Sequence, residues 1–402
     1  MAKKIFTAID IGTGTIKVLV VRKKTKEDKF EVLGLVEEIS SGIRKGVVIE
    51  PAEVSVLIRS AFKKIEEQIR QKINSAYVNV GGSHIFSTFS RGLVSVSRAD
   101  QKISQEDIKR VLEAAQTFPF PSNREILEVF PKEFIIDGEK GIKEPLGMEG
   151  VRLEAEVLVL GGFGPYIKSL TTSVLNSGPQ INDLFLGPLA SSRAVLTPRE
   201  KELGVALLDI GAGTTGLAVF EEGNLIHLAI LPIGSGHITN DIAIGLKTDI
   251  DTAEKIKREF GTVFFQGTNK KEKIEMEEEE TLVFTHKQLN KIITARLSEI
   301  FGEVSKELKK ISRQQLLPAG IVLTGGGAKI PKIREFAKKE LRLSCRLGKP
   351  RGFSPFQEDP RFSVACGLIL RGADLEEEEK GFSFPGKGIK SKIKKFFKIF
   401  IP

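Results

Sequence analysis

Two glycine turns decide the fold of this chain: Asp10-Ile-Gly-Thr-Gly-Thr15 and Asp209-Ile-Gly-Ala-Gly-Thr-Thr215. Each lies between two apolar runs rich in β-branched residues, a pattern that predicts a strand, a tight turn and a second strand. Glycines let the backbone approach an anion closely, and successive N–H groups in such a turn form an anion-binding nest. Two such turns in matching contexts predict two lobes that clamp one nucleotide.

The turns supply the first candidate ligands. The opening aspartates, Asp10 and Asp209, are suited to hold Mg²⁺ through its waters, because this ion keeps much of its hydration shell. The remaining candidates follow the aspartates within the two turns and would bind the phosphates: Gly12, Thr13, Gly14, Thr15, Gly211, Gly213, Thr214 and Thr215.

The elements around the turns repeat in the same order. An apolar run at 30–36 and a helical pattern from Pro51 follow the first turn. An apolar run at 225–233 and a helical pattern at 237–246 follow the second. We therefore predict a duplicated β-β-β-α unit that faces its twin across a cleft, which is the plan of the actin-like nucleotide-binding fold.

A third glycine run is a candidate site for the base. It follows another apolar strand and consists of Gly325, Gly326 and Gly327. Small residues at the end of a strand let a planar base lie against the backbone. This arrangement suits adenine.

A predicted helix supplies candidates for the ribose. Glu254, Lys257 and Arg258 share one face of this helix through their i, i+3 and i+4 spacing. A carboxylate there can accept ribose hydroxyls, while the two cations can flank the base or the phosphates. Together with both phosphate turns, the pattern predicts ATP as the cofactor.

The predicted fold class is α/β: a two-lobed actin-like ATPase fold with an inserted small α+β subdomain and a C-terminal amphipathic helix. The first lobe is predicted to begin with residues 1–81, and the insert follows at 82–161. Residues 162–198 are predicted to complete the first lobe and to connect it to the second. The second lobe is predicted to begin with a core at 199–236, followed by a helix-rich subdomain at 237–300. Residues 301–373 are predicted to complete that lobe and to return to the first. A flexible linker at 374–388 and the amphipathic helix at 389–402 are predicted to follow.

Composition narrows the classes of protein. A chain of 402 residues is too long for one compact core and predicts two or more domains. Cys345 and Cys366 lack a Cys-x-x-Cys spacing and are expected to be buried small hydrophobes in a reducing cytoplasm. The four histidines show no metal-ligand spacing, no signal peptide is expected, and no apolar run is long enough to span a bilayer.

The positive charge points to the tail. The net charge is +9, and residues 386–402 hold six lysines and no acid. Such a local excess argues against a broad nucleic-acid-binding face, so we expect no nucleic-acid partner.

The tail has the pattern of a membrane-binding helix. At 100° per residue its apolar side chains occupy about one half of a helix circumference, with the lysines on the other half or at the borders. A short basic amphipathic helix of this kind lies in the interface of an anionic membrane and does not cross it. The candidate membrane residues are Ile389, Ile393, Phe396, Phe397, Phe400, Lys392, Lys394 and Lys395.

The motifs together resemble the FtsA family of bacterial cell-division proteins, within the actin and heat-shock-chaperone superfamily. The superfamily resemblance rests on both aspartate turns, on Lys17 after the first, and on Thr324-Gly-Gly-Gly-Ala328. The more specific resemblance is in the insert, where Gly81-Gly-Ser-His-Ile85 and Pro131-Lys-Glu-Phe-Ile-Ile-Asp137 are similar to the signature of the family's small subdomain.

The resemblance implies a function and partners. It implies an ATP- and Mg²⁺-binding protein that polymerises on the cytoplasmic face of the cell membrane, as a peripheral protein at the division site. It also implies that the protein tethers the tubulin-like protein FtsZ and recruits other division proteins through the insert. Arg296 matches a basic position associated with the acidic C-terminal peptide of FtsZ.

Hydrolysis of ATP is left open. Superfamily members that hydrolyse ATP generally carry an acid or amide near the first connector, but Leu184-Phe-Leu-Gly-Pro-Leu189 offers none, and Gly187 stands where an acid is expected. The alternatives are a pilus-assembly ATPase of the PilM type, which lacks the terminal amphipathic helix, and a small-molecule kinase, which needs a catalytic aspartate in a substrate pocket. A chaperone is a weaker alternative, because no peptide-binding β domain follows the third glycine run.

Overall fold

The computed structural model describes residues 5–24, 29–117, 121–264, 271–275, 281–354 and 359–381. The predicted amphipathic helix at 389–402 lies outside these residues. The described chain forms two lobes, each built on a mixed sheet, and a smaller subdomain inserted into the first lobe.

The first lobe contains a six-stranded sheet. The predicted strand, turn and strand form its centre, and both hairpin pairings there are antiparallel. Two strands from later in the chain add in parallel on one side, and a short strand adds in parallel on the other. The order is β11 (Gln180–Leu186), β6 (Ser75–Val80), β1 (Ile5–Ile11), β2 (Thr15–Lys23), β3 (Phe30–Ile39) and β19 (Phe353–Ser354).

The second lobe repeats this plan with five strands. Three antiparallel strands again surround the glycine turn, and two strands add in parallel beside the first of them. The predicted duplication is therefore confirmed. The order is β14 (Asn224–Leu231), β13 (Thr215–Glu221), β12 (Val205–Ile210), β17 (Gly320–Thr324) and β18 (Cys345–Leu347).

The insert is a small α+β unit, as predicted. One helix packs on an antiparallel four-stranded sheet, and Gly92 permits the close approach because a Cβ there would lie 2.2 Å from the Val111 carbonyl oxygen. The helix begins with a capping box between Ser104 and Asp107. Its elements are β7 (Phe86–Ser95), β10 (Arg152–Phe163), β8 (Arg124–Ile136) and β9 (Glu139–Ile142), with α2 (Gln105–Ala114).

Helices cover the two large sheets. Those of the first lobe and connector are α1 (Pro51–Ile69), α3 (Gly164–Ser177), α4 (Gly187–Val195) and α5 (Pro198–Leu203). Those of the second lobe are α6 (Ser235–Leu246), α7 (Ile250–Phe260), α8 (His286–Lys310) and α9 (Ile333–Leu341). There are also two small hairpins: β4 (Ile43–Arg44) with β5 (Val47–Val48), and β15 (Lys271–Glu275) with β16 (Thr281–Thr285).

The last described helix, α10 (Ser363–Gly381), corrects one predicted boundary. The linker was expected to begin at 374, but the helix continues to Gly381. Its hydrophobic pattern is weakly periodic because the helix packs on several neighbours: a Cβ on Gly367 would meet the Ala190 carbonyl of α4, and one on Gly372 would meet the Tyr77 ring of β6.

Candidate nucleotide site

The first glycine turn joins Asp10 to Lys17. The antiparallel register of β1 and β2 places these residues opposite each other. The Lys17 Nζ atom donates to Asp10 Oδ2 at 3.0 Å, and both side chains are about nine-tenths buried. The predicted Mg²⁺ ligand and Lys17, on which the superfamily resemblance partly rests, thus lie side by side.

Asn79 of β6 fixes the same carboxylate from the other side. Its Nδ2 atom donates to Asp10 Oδ1 at 3.1 Å, and its Oδ1 atom accepts from the Ile11 N–H at 2.7 Å. The asparagine is buried, so it holds both the aspartate side chain and the start of the turn. Sequence reasoning missed this residue, although a lone asparagine in an otherwise apolar strand is a usable signal.

The second turn places Asp209 opposite the first. The Ser191 Oγ atom of α4 donates to Asp209 Oδ2 at 2.5 Å and also to the Gly187 carbonyl at 2.8 Å. Burial raises the pKa of Asp209 to about 6, the charge of Asp10 adds to the rise, and the Ser191 hydrogen bond and Lys17 oppose it. Asp209 and Asp10 therefore act on each other electrostatically across the cleft. Ser191 was also not predicted from the sequence.

The two phosphate turns are in direct contact. A Cβ on Gly14 would lie 2.9 Å from the Ala212 Cβ atom, and one on Gly213 would lie 2.6 Å from Thr13 Oγ1. The Thr13 hydroxyl also accepts from the Gly46 N–H at 2.9 Å. The structure therefore brings the predicted phosphate-binding residues of both lobes together in one cleft.

The N-terminus of α6 supports the second turn. The Ser235 and Gly236 N–H groups donate to the carbonyls of Gly211 and Ala212, each at 2.8 Å. A Cβ on Gly234 would lie 2.6 Å from the Gly211 carbonyl oxygen, so only glycine fits there. Consecutive backbone amides thus fix the conformation of the turn.

The predicted ribose-binding face lies on α7 and contacts α6. Glu254 Oε2 accepts from Thr239 Oγ1 at 2.6 Å and pairs with Lys257 Nζ at 2.5 Å. Lys257 also donates to the Ser235 carbonyl at 3.3 Å, beside the second turn. Arg258 pairs with Glu254 Oε1 but remains 74% exposed. Lys257 therefore reaches the backbone beside the phosphate turn, Glu254 contacts α6 through Thr239, and Arg258 lies on the surface.

The third glycine run lies against the second turn. Gly325 has a φ of +82°, and a Cβ there would lie 2.4 Å from Asp209 Oδ1, so glycine is required on both grounds. A Cβ on Gly327 would lie 2.4 Å from Ile210 Cγ2, whereas one on Gly326 would meet nothing closer than 3.9 Å. Gly326 therefore presents the open backbone surface predicted for a base.

The carboxylates fit a hydrated Mg²⁺ better than a directly coordinated metal. Among the described residues, no cluster of three or more His, Cys, Asp or Glu side chains could hold a metal ion. Asp10 and Asp209 are two carboxylates that repel each other, and a divalent cation between them would relieve that repulsion. Such a pair suits an ion that takes its remaining ligands from water and phosphate.

Gly187 leaves space beside the pair of carboxylates formed by Asp10 and Asp209. It is the first residue of α4, and a Cβ there would lie 3.9 Å from Asn79 Nδ2 with no closer neighbour. The position predicted to lack a catalytic acid thus faces the cleft. Asn79 is the nearest side chain to this position, and its amide is already engaged by Asp10 and by the Ile11 N–H.

The residue predicted to bind the FtsZ peptide, Arg296, lies on α8 of the second lobe. Its guanidinium donates to both Asp241 oxygens, at 2.6 and 2.7 Å, and to Glu299 at 2.6 Å. These pairs hold it near the surface of α6 and α8. The predicted membrane residues, Ile389 to Phe400, lie outside the described residues, and no helix within the described part is both long and apolar enough to cross a bilayer.

These features define a class of protein: an actin-like ATPase fold with a nucleotide-type cleft between duplicated lobes. Solved structures agree on the fold. The chain is similar to a PilM–PilN type IV pilus biogenesis complex, with 19% identity and a TM-score of 0.67 over 91% of this chain and 98% of that one. It is also similar to MreB5 of Spiroplasma citri bound to ADP, with 13% identity and a TM-score of 0.57 over 94% and 99%.

The chain belongs to the FtsA family of cell division proteins. The family profile described as cell division protein FtsA matches residues 206–367, and that of the SHS2 domain inserted in FtsA matches 82–160. The Bacillus subtilis cell division protein FtsA is 35% identical over 96% of this chain and 88% of its own length. The Pseudomonas aeruginosa protein of that name is 34% identical over 96% and 94%.

Proposed function

We propose that this chain binds MgATP between its lobes and tethers the FtsZ ring to the cytoplasmic face of the cell membrane. The observation that carries the ATP-binding part is the meeting of the two aspartate turns. Asp10 and Asp209 face one cleft, each held by a neighbouring polar side chain, and both phosphate turns touch. Membership in the FtsA family supports the division role.

The residues of the cleft have distinct proposed roles. Asp10 and Asp209 hold Mg²⁺ through its waters, and the N–H groups of both turns bind the phosphates. Lys17, 3.0 Å from Asp10, neutralises phosphate charge. Glu254 and Lys257 face the ribose and phosphate side, and Gly326 lies under the base. Bound Mg²⁺ supplies charge neutralisation between the phosphates and the two carboxylates.

We propose that hydrolysis is weak or absent. Orientation of an attacking water needs a side chain at the mouth of the connector, and Gly187 provides none. The bound nucleotide then acts mainly by stabilising the closed arrangement of the lobes, because it contacts residues of both.

The FtsZ contact is proposed for the face between α6 and α8. Ile244 of α6 is 77% exposed, and a Cβ on Gly245 would lie 2.7 Å from the Ile292 Cδ1 atom of α8. Arg296 follows one helical turn after Ile292 on the same side of α8. An exposed apolar side chain beside a cation fits an acidic peptide with apolar residues. Because Asp241 and Glu299 already hold Arg296, such a peptide competes for its guanidinium.

Membrane attachment and assembly complete the proposal. The basic amphipathic tail at 389–402 binds anionic lipids, and one copy binds reversibly. Copies that associate into an actin-like polymer bind far more tightly, because each further tail acts at a high effective concentration. The inserted subdomain recruits later division proteins.

Nucleotide binding gives a direct test of the cleft. Titration of a fluorescent ATP analogue should show binding that requires Mg²⁺, and Asp10→Asn should weaken it by about tenfold or more through loss of one charged ligand. Asp251→Asn, on the exposed first turn of α7, is the matched control and should bind like the unchanged chain. Binding that ignores both EDTA and the Asp10 substitution would contradict the assignment.

A further inference from the structure

The small hairpin of β4 and β5 touches the candidate nucleotide site. At its tip the Gly46 N–H donates to the Thr13 hydroxyl of the first phosphate turn at 2.9 Å. A Cβ on Gly46 would lie 3.4 Å from Thr214 Cγ2 of the second turn. The hairpin is therefore a third element, besides the two turns, at the place where the lobes meet.

Buried side chains and a backbone hydrogen bond fix the position of this tip. Ile43, Val47 and Val48 of the two strands are buried, and the register pairs Ile43 with Val48. Just before the hairpin, the Ser40 N–H donates to the Gly14 carbonyl at 3.1 Å. The hairpin and the residue before it thus contact two consecutive residues of the first turn, so the tip is held against the site.

Lys45 occupies the tip beside Gly46. Both residues have positive φ, +50° and +75°, as a two-residue turn of type I′ requires. The Lys45 side chain is exposed, and no ion pair among the described residues includes it. A lysine carries its ammonium on a flexible four-carbon stem, so the charge can reach past the neighbouring residue toward the turns. The tip therefore offers a cation without a carboxylate partner in the described part of the chain.

The charge of a triphosphate calls for a cation besides Lys17. Lys17 lies 3.0 Å from Asp10, so that carboxylate already balances part of its charge. Of the three phosphates of ATP, the terminal one carries the most negative charge, because it has only one bridging oxygen. A cation that pairs with this phosphate alone therefore favours ATP over ADP.

The position of the hairpin fits the terminal phosphate. The third glycine run contacts the second turn where that turn begins, because Gly325 lies against Asp209 and Gly327 lies against Ile210. The hairpin tip contacts the same turn where it ends, at Thr214. The proposed base surface and the hairpin tip thus lie at opposite ends of the turn, as the base and the terminal phosphate do in ATP.

We propose that Lys45 binds the terminal phosphate of ATP, so that the β4–β5 hairpin distinguishes ATP from ADP. The inference rests on the nucleotide site of the proposed function and adds a specificity-determining residue to it. The ammonium donates to phosphate oxygens that ADP lacks, and a hydrogen bond between two charged groups is stronger than one between neutral groups. The hairpin that carries this lysine contacts the phosphate turns of both lobes.

Nucleotide titration of the full chain tests the assignment. The unchanged chain should bind MgATP more tightly than MgADP. Lys45→Asn removes the charge, and asparagine tolerates a positive φ. We expect this variant to bind MgATP about tenfold more weakly, with MgADP affinity and the melting temperature of the nucleotide-free chain unchanged. Lys45→Gly should give the same result, and Lys45→Arg, which keeps the charge, should preserve the preference for ATP.

The matched control is Lys247→Asn. Lys247 is also an exposed lysine with a positive φ, +55°, but it caps the C-terminus of α6. This control should bind both nucleotides like the unchanged chain. Equal losses of ATP and ADP affinity in Lys45→Asn would overturn the proposal in favour of a hairpin that only shapes the site, and unchanged ATP affinity would overturn it outright. A chain that binds neither nucleotide would instead refute the proposed nucleotide site itself.

Discussion

Thr13 of the first phosphate turn lies directly against Gly213 of the second, where an added Cβ would be only 2.6 Å from the threonine hydroxyl oxygen. The contact joins two turns that are about two hundred residues apart in the chain. The two lobes therefore touch at the phosphate turns themselves. Any group added at this contact separates the two halves of the proposed site.

Gly213→Ala tests this contact. The methyl group would lie within 3.0 Å of three Thr13 atoms, so we expect the turns to move apart and Mg²⁺-dependent ATP affinity to fall about tenfold or more. Gly302→Ala, in α8 where an added Cβ meets nothing within 4 Å, is the control. It should leave ATP affinity unchanged and raise stability by about 0.5–1 kcal/mol through helix propensity. Equal ATP affinity in both variants would show that the contact between the turns does not affect nucleotide binding.

The raised pKa of Asp209 predicts a pH dependence. Its folded-state pKa of about 6 exceeds the ordinary aspartate value, so the folded state binds a proton that the unfolded chain has released. Without nucleotide, stability should therefore fall as pH rises from about 4 to about 6. Mg²⁺ binding needs the ionised carboxylate, so Mg²⁺-dependent ATP affinity should fall about tenfold from pH 7 to pH 5.

Asp209→Asn separates these two effects. The amide cannot ionise, so the variant should lose the Asp209 part of both pH dependences and bind MgATP weakly at every pH. Calorimetric titrations at several pH values, with thermal melting of the nucleotide-free chain, supply both measurements. An unchanged pH profile in the variant would assign the titration to another group.

Asn79→Ala should uncouple β6 from the first turn. The substitution leaves the Ile11 N–H and one oxygen of buried Asp10 without their partners, which costs about 1–3 kcal/mol of stability. We also expect weaker Mg²⁺-dependent ATP binding, because Asp10 loses its fixed orientation. Gln71→Ala, on the exposed surface after α1, is the control for loss of an amide and should change neither quantity. If the Asn79 variant were as stable as the unchanged chain and bound MgATP with full affinity, Asn79 would not be needed to position Asp10.

Ile244→Asp addresses the proposed FtsZ-binding face. The side chain is 77% exposed, so its replacement should leave the melting temperature nearly unchanged. Affinity for a peptide with the sequence of the FtsZ C-terminus should fall about tenfold, because a carboxylate would face an acidic ligand. Ile39→Asp is matched in chemistry and exposure, at 84%, but lies in the first lobe and should bind the peptide normally. Equal affinity in both variants would place the peptide elsewhere.

The local parts of the site could be predicted from sequence, but its long-range parts could not. Strand, turn and strand follow from adjacent residues, and the pairing of Asp10 with Lys17 follows from the hairpin register. Asn79 reaches Asp10 from 69 positions away through a parallel strand pairing, which no local pattern encodes. Ser191 reaches Asp209 because the connector helix folds back onto the second turn.

Two further differences have physical causes. Arg258 was predicted to share a ligand-facing surface with Glu254 and Lys257, but it is 74% exposed and pairs with Glu254, a pair that i, i+4 spacing also favours. Helix α10 was missed past residue 373 because its packing against α4 and β6 weakens the apolar periodicity. The first difference reflects a local pair within one helix, and the second reflects tertiary packing.

Membrane tethering of FtsZ is the central claim, and vesicle co-sedimentation tests it most directly. FtsZ, anionic vesicles and MgATP are mixed with either the full chain or a version ending at Gly386, which lacks the predicted amphipathic helix. We expect FtsZ to pellet with vesicles only when the full chain is present, and less of it as salt rises. FtsZ that pellets equally with the shortened chain, or that stays in solution with the full chain, would contradict the tether.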